Sequence, residues 1–273
     1  MDKAHRKTDK ELNKLEKELA IIYKGLSKEI QAKIKEKYVQ IEKGDKPEAR
    51  KQLKYIEQIL LKVSIEQANL NKIAMEMLQG ELERIVDINR EFIYESVVDQ
   101  LEEEGIDISF KTLNTDGLKE ITKGDKYKKT AVTNLLNNKR IYTNLRRAMS
   151  QSYILGEGEV KRAKRIQKIL GIELYEAKRI ARTENTKVET LARDSVIRDA
   201  INLGSDFDKK WVTCKDKRVR DTHKKLDNEI VPYDKNFSNG CEFPGVGGSA
   251  KEVINCRCTF TPVSRRLQKR GKQ

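Results

Sequence analysis

Apolar residues in the first hundred positions recur at alternating steps of three and four, which places their side chains on one face of an α-helix. The first stretch has such positions at Leu12, Leu15, Leu19, Ile22 and Leu26, and the second at Leu53, Ile56, Leu60, Val63, Leu82, Ile85 and Val86. Gly44 and Pro47 separate the two stretches, and Gly80 is a candidate break in the second. The pattern predicts two long helices that pack as an antiparallel, coiled-coil-like hairpin. Docking of this apolar stripe on the helices of a partner is the alternative.

The helical pattern stops between Gly105 and Gly124, where Ile106–Phe110 alternates like a short strand. It resumes with Leu135 and continues to about Met149, and a glycine-containing joint follows at 156–158. We therefore predict a domain boundary at about residue 150, with a helical region in residues 1–150 and a second domain in residues 151–273.

The second domain mixes helical and strand patterns. Helices are predicted over 159–170 and 173–203, and Trp211 opens an extended segment. Residues 229–232 form a strand pattern that a proline ends, and residues 253–260 form the strongest strand pattern in the chain. The fold class that follows is α+β, with a long helical N-terminal region before a small mixed α/β C-terminal domain.

The charge of the chain points to an acidic partner. The 57 Lys and Arg residues exceed the 43 Asp and Glu residues, so the formal net charge is +14 and the pI about 9.4. Such an excess favours nucleic acid or an acidic protein surface. The candidate nucleic-acid-binding residues are Lys161, Lys164, Arg165, Lys168, Lys178, Arg179, Arg265, Arg266, Lys269 and Arg270. They predict backbone contacts with duplex DNA without sequence readout, and a solvated helix face is the alternative.

The apolar runs and the cysteine count constrain where the protein acts and the state of its thiols. No apolar run approaches the length of a membrane span, and the residues after Met1 lack the apolar stretch of a secretory signal. We therefore expect no membrane partner and a protein that acts in the reducing cytosol where it is made. Four cysteines in 273 residues are too few for a disulfide scaffold, so they are predicted to be packed thiols or metal ligands. His5 lies in a charged N-terminus that we expect to fray, and it is assigned no role.

The only tryptophan, all four cysteines and one of the two histidines fall between Trp211 and Cys258. Residues two apart in a strand point to the same side, so Cys256 and Cys258 are predicted to present their sulfurs together. Cys214 and His223 would complete a tetrahedral Cys3His site, which predicts a structural zinc ion as a possible cofactor. Cys241 is an alternative to Cys214, and thiols that only fill a core are the alternative to a metal site.

A family resemblance follows from the order of these residues. The sequence Ala181-Arg182-Thr183-Glu184 precedes the tryptophan, and after it come a D-x-R-x-R-x-x-H pattern ending at His223, the pairs Val231-Pro232 and Pro244-Gly245, and Ile254-Asn255-Cys256-Arg257-Cys258. Over roughly residues 150–262 this order and spacing resemble the phage Mu F-like domain of minor head, or head morphogenesis, proteins.

The resemblance implies a minor capsid protein carried near the portal vertex and able to bind double-stranded DNA. Such a protein would assist head assembly or genome delivery. The implied partners are the portal protein, capsid or scaffold components, and duplex DNA. The implied location is the virion, in the head interior near the portal, with the host cytoplasm as the site of assembly. The predicted basic helix face fits that role.

Enzymatic alternatives rest on the same cluster. A metal-dependent nuclease would use Asp216, Asp221, His223 and Asp227, and a nucleophile pair would use Cys214 and His223. The Mu F-like domain also looks distantly similar to ADP-ribosyltransferases, whose active members combine a Ser-Thr-Ser strand with a Glu-x-Glu or Gln-x-Glu motif. This chain lacks that combination. We therefore expect a non-enzymatic protein, with the nuclease as the alternative.

Overall fold

The computed structural model describes residues 2–43, 49–105, 135–155 and 159–270. The predicted strand Ile106–Phe110 and the glycine joint at 156–158 lie outside the described residues. The helices in the described part of the chain are α1 (Lys3–Lys43), α2 (Ala49–Glu103), α3 (Asn138–Ile154), α4 (Glu159–Asn202), α5 (Asp221–Lys224), α6 (Ala250–Val253) and α7 (Arg265–Arg270). The strands are β1 (Phe207–Val212), β2 (Ile230–Pro232) and β3 (Thr259–Ser264). The α+β fold class is confirmed.

The long helices follow the apolar periodicity, but two expectations about glycines were wrong. Helix α2 continues through Gly80, and α4 is one helix where the sequence predicted two separated near Gly171. A glycine inside a helix costs only about 1 kcal/mol relative to alanine. Leu170 and Ala177 are both buried and lie seven residues apart, so the same face of α4 stays packed on each side of Gly171.

The three strands form one antiparallel sheet in the order β2-β1-β3. Trp211 lies near the end of the central strand rather than opening it, and it pairs with Phe260. The pattern over 253–260 was only partly correct, because β3 begins at Thr259. The preceding Asn255 has a φ of 58°, a left-handed conformation that breaks a strand. Gly204, with a φ of 97°, follows the end of α4 in the left-handed conformation that is typical of a helix C-terminal cap.

The chain divides into two compact units that are assembled from separate stretches. Unit 1 contains the described residues of Met1–Lys14, Leu78–Asp125 and Arg179–Gln273, and unit 2 those of Leu15–Met77 and Lys126–Lys178. Helices α1, α2 and α4 therefore each contribute to both units. The boundary near residue 150 stays a prediction.

Unit 1 packs the sheet against the ends of two long helices. Its main apolar cluster joins one face of α2, one face of α4, and aromatic residues of the sheet and the loops that follow. These residues are Ile93, Val97, Leu101, Val196, Ile197, Ala200, Phe207, Tyr233, Phe243 and Phe260. Helices α1 and α2 also meet in this unit, where the Asn89 amide donates to Thr8 Oγ1 at 2.9 Å.

Unit 2 is helical in its described residues. Its apolar cluster joins α2, α3 and α4 through Leu60, Val63, Ile141, Leu145 and Leu170. A buried polar group lies in the same unit around Asn71. The Asn71 amide donates to the Leu135 carbonyl at 2.6 Å and accepts a hydrogen bond from the Tyr23 hydroxyl.

No helix in the described part of the chain combines the length and the apolar character that crossing a bilayer requires.

Candidate functional site

A histidine and two cysteines converge in the interior of unit 1. His223 lies on the short helix α5, and Cys256 and Cys258 lie on the loop between α6 and β3. All three side chains are buried. His223 Nδ1 lies 3.4 Å from Cys258 Sγ and 3.7 Å from Cys256 Sγ. The predicted convergence of these three residues is thus present, although the cysteines precede the strand rather than belonging to it.

The surroundings of this cluster fix its orientation. His223 Nε2 lies 3.0 Å from Glu252 Oε2, and the Trp211 ring packs edge-on against the imidazole with 5.2 Å between ring centroids. The backbone N–H of Cys258 donates to Cys256 Sγ at 3.4 Å. Glu252 therefore holds the Nε2 side of the ring, and Nδ1 faces the two sulfurs.

The ionisation of the cluster follows from these contacts. Hydrogen bonding to Cys258 and to His223 outweighs burial and lowers the pKa of Cys256. The hydrogen bond to Cys256 and burial raise the pKa of Cys258. Burial acts to raise the pKa of Glu252, but the Thr222 hydroxyl and the His223 imidazole lower it. The arrangement favours one thiolate and one thiol side by side, with a carboxylate behind the imidazole.

The other two cysteines occupy different surroundings. In the described residues, the group of mutually close metal-ligand atoms contains His223, Cys256 and Cys258, and neither Cys214 nor Cys241 belongs to it. Cys214 Sγ donates to the Arg257 carbonyl at 2.6 Å. Cys241 is buried in the same apolar cluster as Cys256 and Cys258. The structure thus brings together three of the four residues that the sequence proposed as zinc ligands.

A cavity of about 150 Å³ adjoins the cluster. Besides the three cluster residues, its lining includes Arg182, Arg218, Arg220 and Arg257. Arg220 donates to the backbone carbonyls of Glu252 and Ile254, so it fastens the loop that carries the cysteines. Arg257 pairs with Asp216 at 2.6 Å, whereas its Nε and Nη1 are buried without a hydrogen-bond partner in the described residues.

A second polar cluster in unit 1 corrects the expectation for His5. The His5 side chain is buried, and its Nδ1 lies 2.8 Å from Glu189 Oε1 on α4. Its Nε2 lies 3.2 Å from the Arg257 carbonyl. The N-terminal turn is therefore anchored rather than frayed. No sequence pattern signalled this, because His5 and Glu189 are 184 positions apart.

Arg193 joins the same cluster. Its guanidinium is fully buried and makes two short contacts with Asp2, at 2.7 and 3.0 Å, and one with Glu189 at 3.2 Å. It also donates to the Asn89 amide oxygen and to the Phe260 carbonyl. Four chain segments that are distant in sequence meet at this one side chain.

Buried charges shift the ionisation of this cluster. Burial acts to lower the pKa of His5, but the Glu189 carboxylate and a hydrogen bond to Cys214 raise it to about 10. Burial acts to raise the pKa of Glu189, but His5 and Arg193 lower it. The pair is therefore a buried imidazolium–carboxylate contact.

A third unusual group is a buried lysine in β1. Lys209 lies between Phe207 and Trp211 on the inner face of the strand, and its Nζ is 4.1 Å from the centre of the Phe243 ring. Tyr233 and Phe237 contribute two further rings at 5.6 and 5.5 Å. Burial lowers the pKa of Lys209 to about 8.

The basic residues that the sequence assigned to nucleic acid fall in two places. On the part of α4 that belongs to unit 2, Lys161, Lys164 and Lys168 are exposed, and their spacing puts them on one face of the helix. Arg165 and Lys178 are half-buried there. Arg179, also half-buried, begins the part of α4 in unit 1.

The C-terminal cations lie in unit 1 around α7. Arg265 pairs with Asp206 at 3.0 Å and Asp208 at 2.6 Å, so it anchors the helix to β1. Arg266 lies 3.6 Å from Glu104, and Lys269 is exposed. The side chain of Arg270 lies outside the described residues.

The acidic residues of the nuclease alternative are engaged separately. Asp216 pairs with Arg257, Asp221 pairs with Lys224 at 2.8 Å, and Asp227 accepts from the Thr213 backbone and hydroxyl. In the described residues they do not form a group with His223 that would hold a metal ion.

Comparison with known proteins finds one matching family and two relatives described below. The family described as phage Mu protein F like protein matches residues 141–261. The minor head protein GP7 of Bacillus phage SPP1 is 32% identical over 129 residues, which cover 45% of this chain and 41% of that protein. The NAD(+)–arginine ADP-ribosyltransferase EFV of Enterococcus faecalis (strain ATCC 700802 / V583) is 36% identical over 91 residues, which cover 32% of this chain and 19% of that protein. No solved structure matches the chain.

The chain therefore carries a phage Mu protein F-like domain. The predicted resemblance to the Mu F-like family of minor head, or head morphogenesis, proteins is confirmed. The chain spans less than half the length of both relatives. The matched segment 141–261 includes the cluster of His223, Cys256 and Cys258 but not Asp2 or His5.

Proposed function

We propose that this chain is a phage minor capsid protein that acts in head morphogenesis, associates with the portal vertex and binds double-stranded DNA without sequence preference. The observation that carries the proposal is the match to the SPP1 minor head protein, which is 32% identical over 129 residues. The proposed location is the virion, in the head interior near the portal, and the proposed partners are portal and capsid or scaffold subunits.

The DNA-binding part rests on charge and exposure. The chain carries a formal net charge of +14, and Lys161, Lys164 and Lys168 present three cations along one exposed helix face. Each lysine that contacts a phosphate releases condensed counterions, so binding weakens as salt rises. Because these contacts reach the DNA backbone, they carry no sequence information.

A salt titration tests this part. Binding of the full chain to a duplex of arbitrary sequence is measured at increasing salt by fluorescence anisotropy. The triple variant K161Q/K164Q/K168Q should reduce the slope of log K against log[salt] by about 2.7, since each lost phosphate contact accounts for about 0.9. Absent binding, or binding that does not respond to salt, would rule out the DNA role.

The matched control is K10Q/K14Q/K17Q. These three lysines are exposed on one face of α1, and removing them changes the net charge by the same amount. Acidic residues flank them at Glu11, Glu16 and Glu18, so this face should contribute little. An equal loss of slope in both variants would mean that binding follows net charge alone and not the α4 face.

The portal part needs assembled particles. Heads produced by a phage lacking its portal should contain much less of this protein than complete heads, as measured by immunoblotting against the major capsid protein. Equal amounts in both would contradict portal association and leave head assembly as the role.

A structural rather than enzymatic role is part of the proposal. The transferase match covers only 19% of that relative, and the chain lacks the combined strand and Glu-x-Glu or Gln-x-Glu motifs of active transferases. We expect no transfer of ADP-ribose from labelled NAD⁺ to an arginine substrate. Transfer by the purified chain would contradict this part of the proposal.

A further inference from the structure

The cluster of His223, Cys256 and Cys258 has the dimensions of a metal site. In a tetrahedral zinc site, with Zn–S of about 2.3 Å and Zn–N of about 2.0–2.1 Å, nitrogen and sulfur ligands lie about 3.5–3.6 Å apart. The two observed separations between His223 Nδ1 and the sulfurs are 3.4 and 3.7 Å. Both nitrogen–sulfur distances therefore match a zinc site, and the three ligand atoms all lie within 4.8 Å of one another.

The surrounding groups also suit a metal ligand set. A ligating histidine usually gives its second nitrogen to a carboxylate or carbonyl, which fixes the tautomer and the ring. Glu252 fills that position at 3.0 Å from His223 Nε2, and Glu252 in turn accepts from the Thr222 hydroxyl at 3.1 Å. The backbone N–H of Cys258 donates to Cys256 Sγ and would stabilise a bound thiolate.

The remaining side of the cluster faces the cavity. His223, Cys256 and Cys258 all contribute to the lining of the 150 Å³ space, which is large enough for water molecules. Cys214 and Cys241 lie outside the group of mutually close ligand atoms. The open side of the three ligand atoms is therefore the side towards the cavity.

We propose that His223 Nδ1, Cys256 Sγ and Cys258 Sγ bind one Zn²⁺, with water from the arginine-lined cavity in the fourth position. The ion fastens the loop between α6 and β3 to α5, two segments that are separated by about thirty residues in sequence. Both cysteines bind the ion as thiolates, so any proton still on a thiol is released, and the binding free energy adds to the stability of unit 1.

Metal content and cobalt spectroscopy test the proposal. The full chain, purified without chelators, should contain one zinc per molecule by elemental analysis. Cys258→Ser should lose it. Cys214→Ser and Cys241→Ser, the matched controls, should keep it. Because Cys258→Ser can fail to fold, the wild-type chain is also stripped of metal and titrated with Co²⁺. The titration should reach saturation at one equivalent, with the charge-transfer absorption of two cobalt–thiolate bonds and a tetrahedral ligand-field spectrum.

Three results would overturn the proposal. The first is wild-type protein with no stoichiometric metal that also fails to bind Co²⁺. The second is loss of zinc in Cys214→Ser or Cys241→Ser, because that would show a closed site with a third cysteine. The third is a cobalt spectrum with three thiolate ligands. The result does not depend on DNA binding or on the portal, so it is independent of the proposed function.

Discussion

The two units differ in the kinds of side chain that they bury. Unit 2 joins its helices through apolar stripes, in which Leu60 and Val63 of α2 meet Ile141 and Leu145 of α3. Unit 1 has an apolar core too, but it also buries the charges of Arg193, Glu189 and His5. Apolar contacts tolerate small shifts, whereas buried charges are stable only with their partners in place. Unit 1 therefore depends on more buried charged groups than unit 2, where the buried Glu173 pairs with the half-buried Arg140 at 2.7 Å.

The largest effect should come from the buried guanidinium. Arg193→Met removes the partner of Asp2 and Glu189 and leaves both carboxylates in a buried site. This change should lower the free energy of unfolding by about 3–5 kcal/mol. The measurement is urea unfolding followed by fluorescence of Trp211, which lies in unit 1 and is the only tryptophan.

Arg198→Met is the control on the same helix. Arg198 is 52% exposed and pairs with Asp194 and Glu242 at the surface, so its loss should cost about 0–1 kcal/mol. Equal effects at both positions would show that buried charges do not distinguish unit 1.

An apolar truncation should act strongly in unit 2. Leu60→Ala removes a side chain that is 2% exposed in the three-helix cluster. It should lower the free energy of unfolding by about 2–5 kcal/mol. The measurement is urea unfolding followed by far-ultraviolet circular dichroism. Its neighbour Leu61 is 48% exposed, so Leu61→Ala should change the free energy of unfolding by about 0.5 kcal/mol or less. Similar losses at both positions would contradict the assigned packing.

A smaller effect should depend on pH. The pKa of His5 is raised from 6.5 to about 10. The stability that its ion pair with Glu189 contributes is therefore fully present below pH 6.5 and is lost as the pH rises through 10. His5→Gln should therefore lower the free energy of unfolding by about 1.5–3 kcal/mol at pH 6 and by much less at pH 10. Lys7→Gln, an exposed change two residues away on the same helix, is the control and should change the free energy of unfolding by about 0.5 kcal/mol or less. A pH-independent loss would contradict the buried ion pair.

The smallest effect should come from Lys209. Its pKa is lowered from 10.5 to about 8, so the buried ammonium destabilises the fold below pH 8, and this cost is relieved as the pH rises from 8 to 10.5. Lys209→Met should be more stable than wild type by about 1 kcal/mol at pH 7, with a difference that shrinks above pH 8. The control is the neighbouring Lys210→Met on the other face of β1, which should change the free energy of unfolding by about 0.5 kcal/mol or less at pH 7. A destabilised Lys209→Met would mean that the three aromatic rings offset the burial of the charge.

Sequence periodicity predicted the helices well because each turn repeats the same local requirement. The positions of Leu12, Leu15 and Leu19 were sufficient for α1, and all three are buried. Gly80 and Gly171 were misjudged because tertiary packing on both sides outweighs the local cost of glycine.

The candidate site was predictable only in part. The short separation of Cys256 and Cys258 indicated that their sulfurs would lie together. The spacing did not distinguish Cys214 from Cys241 as a further ligand, and neither joins the group. His5 and Asp2 gave no signal at all, since their partners Glu189 and Arg193 are more than 180 positions away.

The anchored first turn has a practical consequence for protein engineering. A truncated version that begins at residue 141, where the family match starts, would delete Asp2, His5 and Asn89 and leave Arg193 and Glu189 facing solvent or each other. It would also remove the α2 residues Ile93, Val97 and Leu101 that cover the sheet. Such a fragment should aggregate on expression, and co-producing it with a separate polypeptide that spans residues 1–105 should restore soluble material.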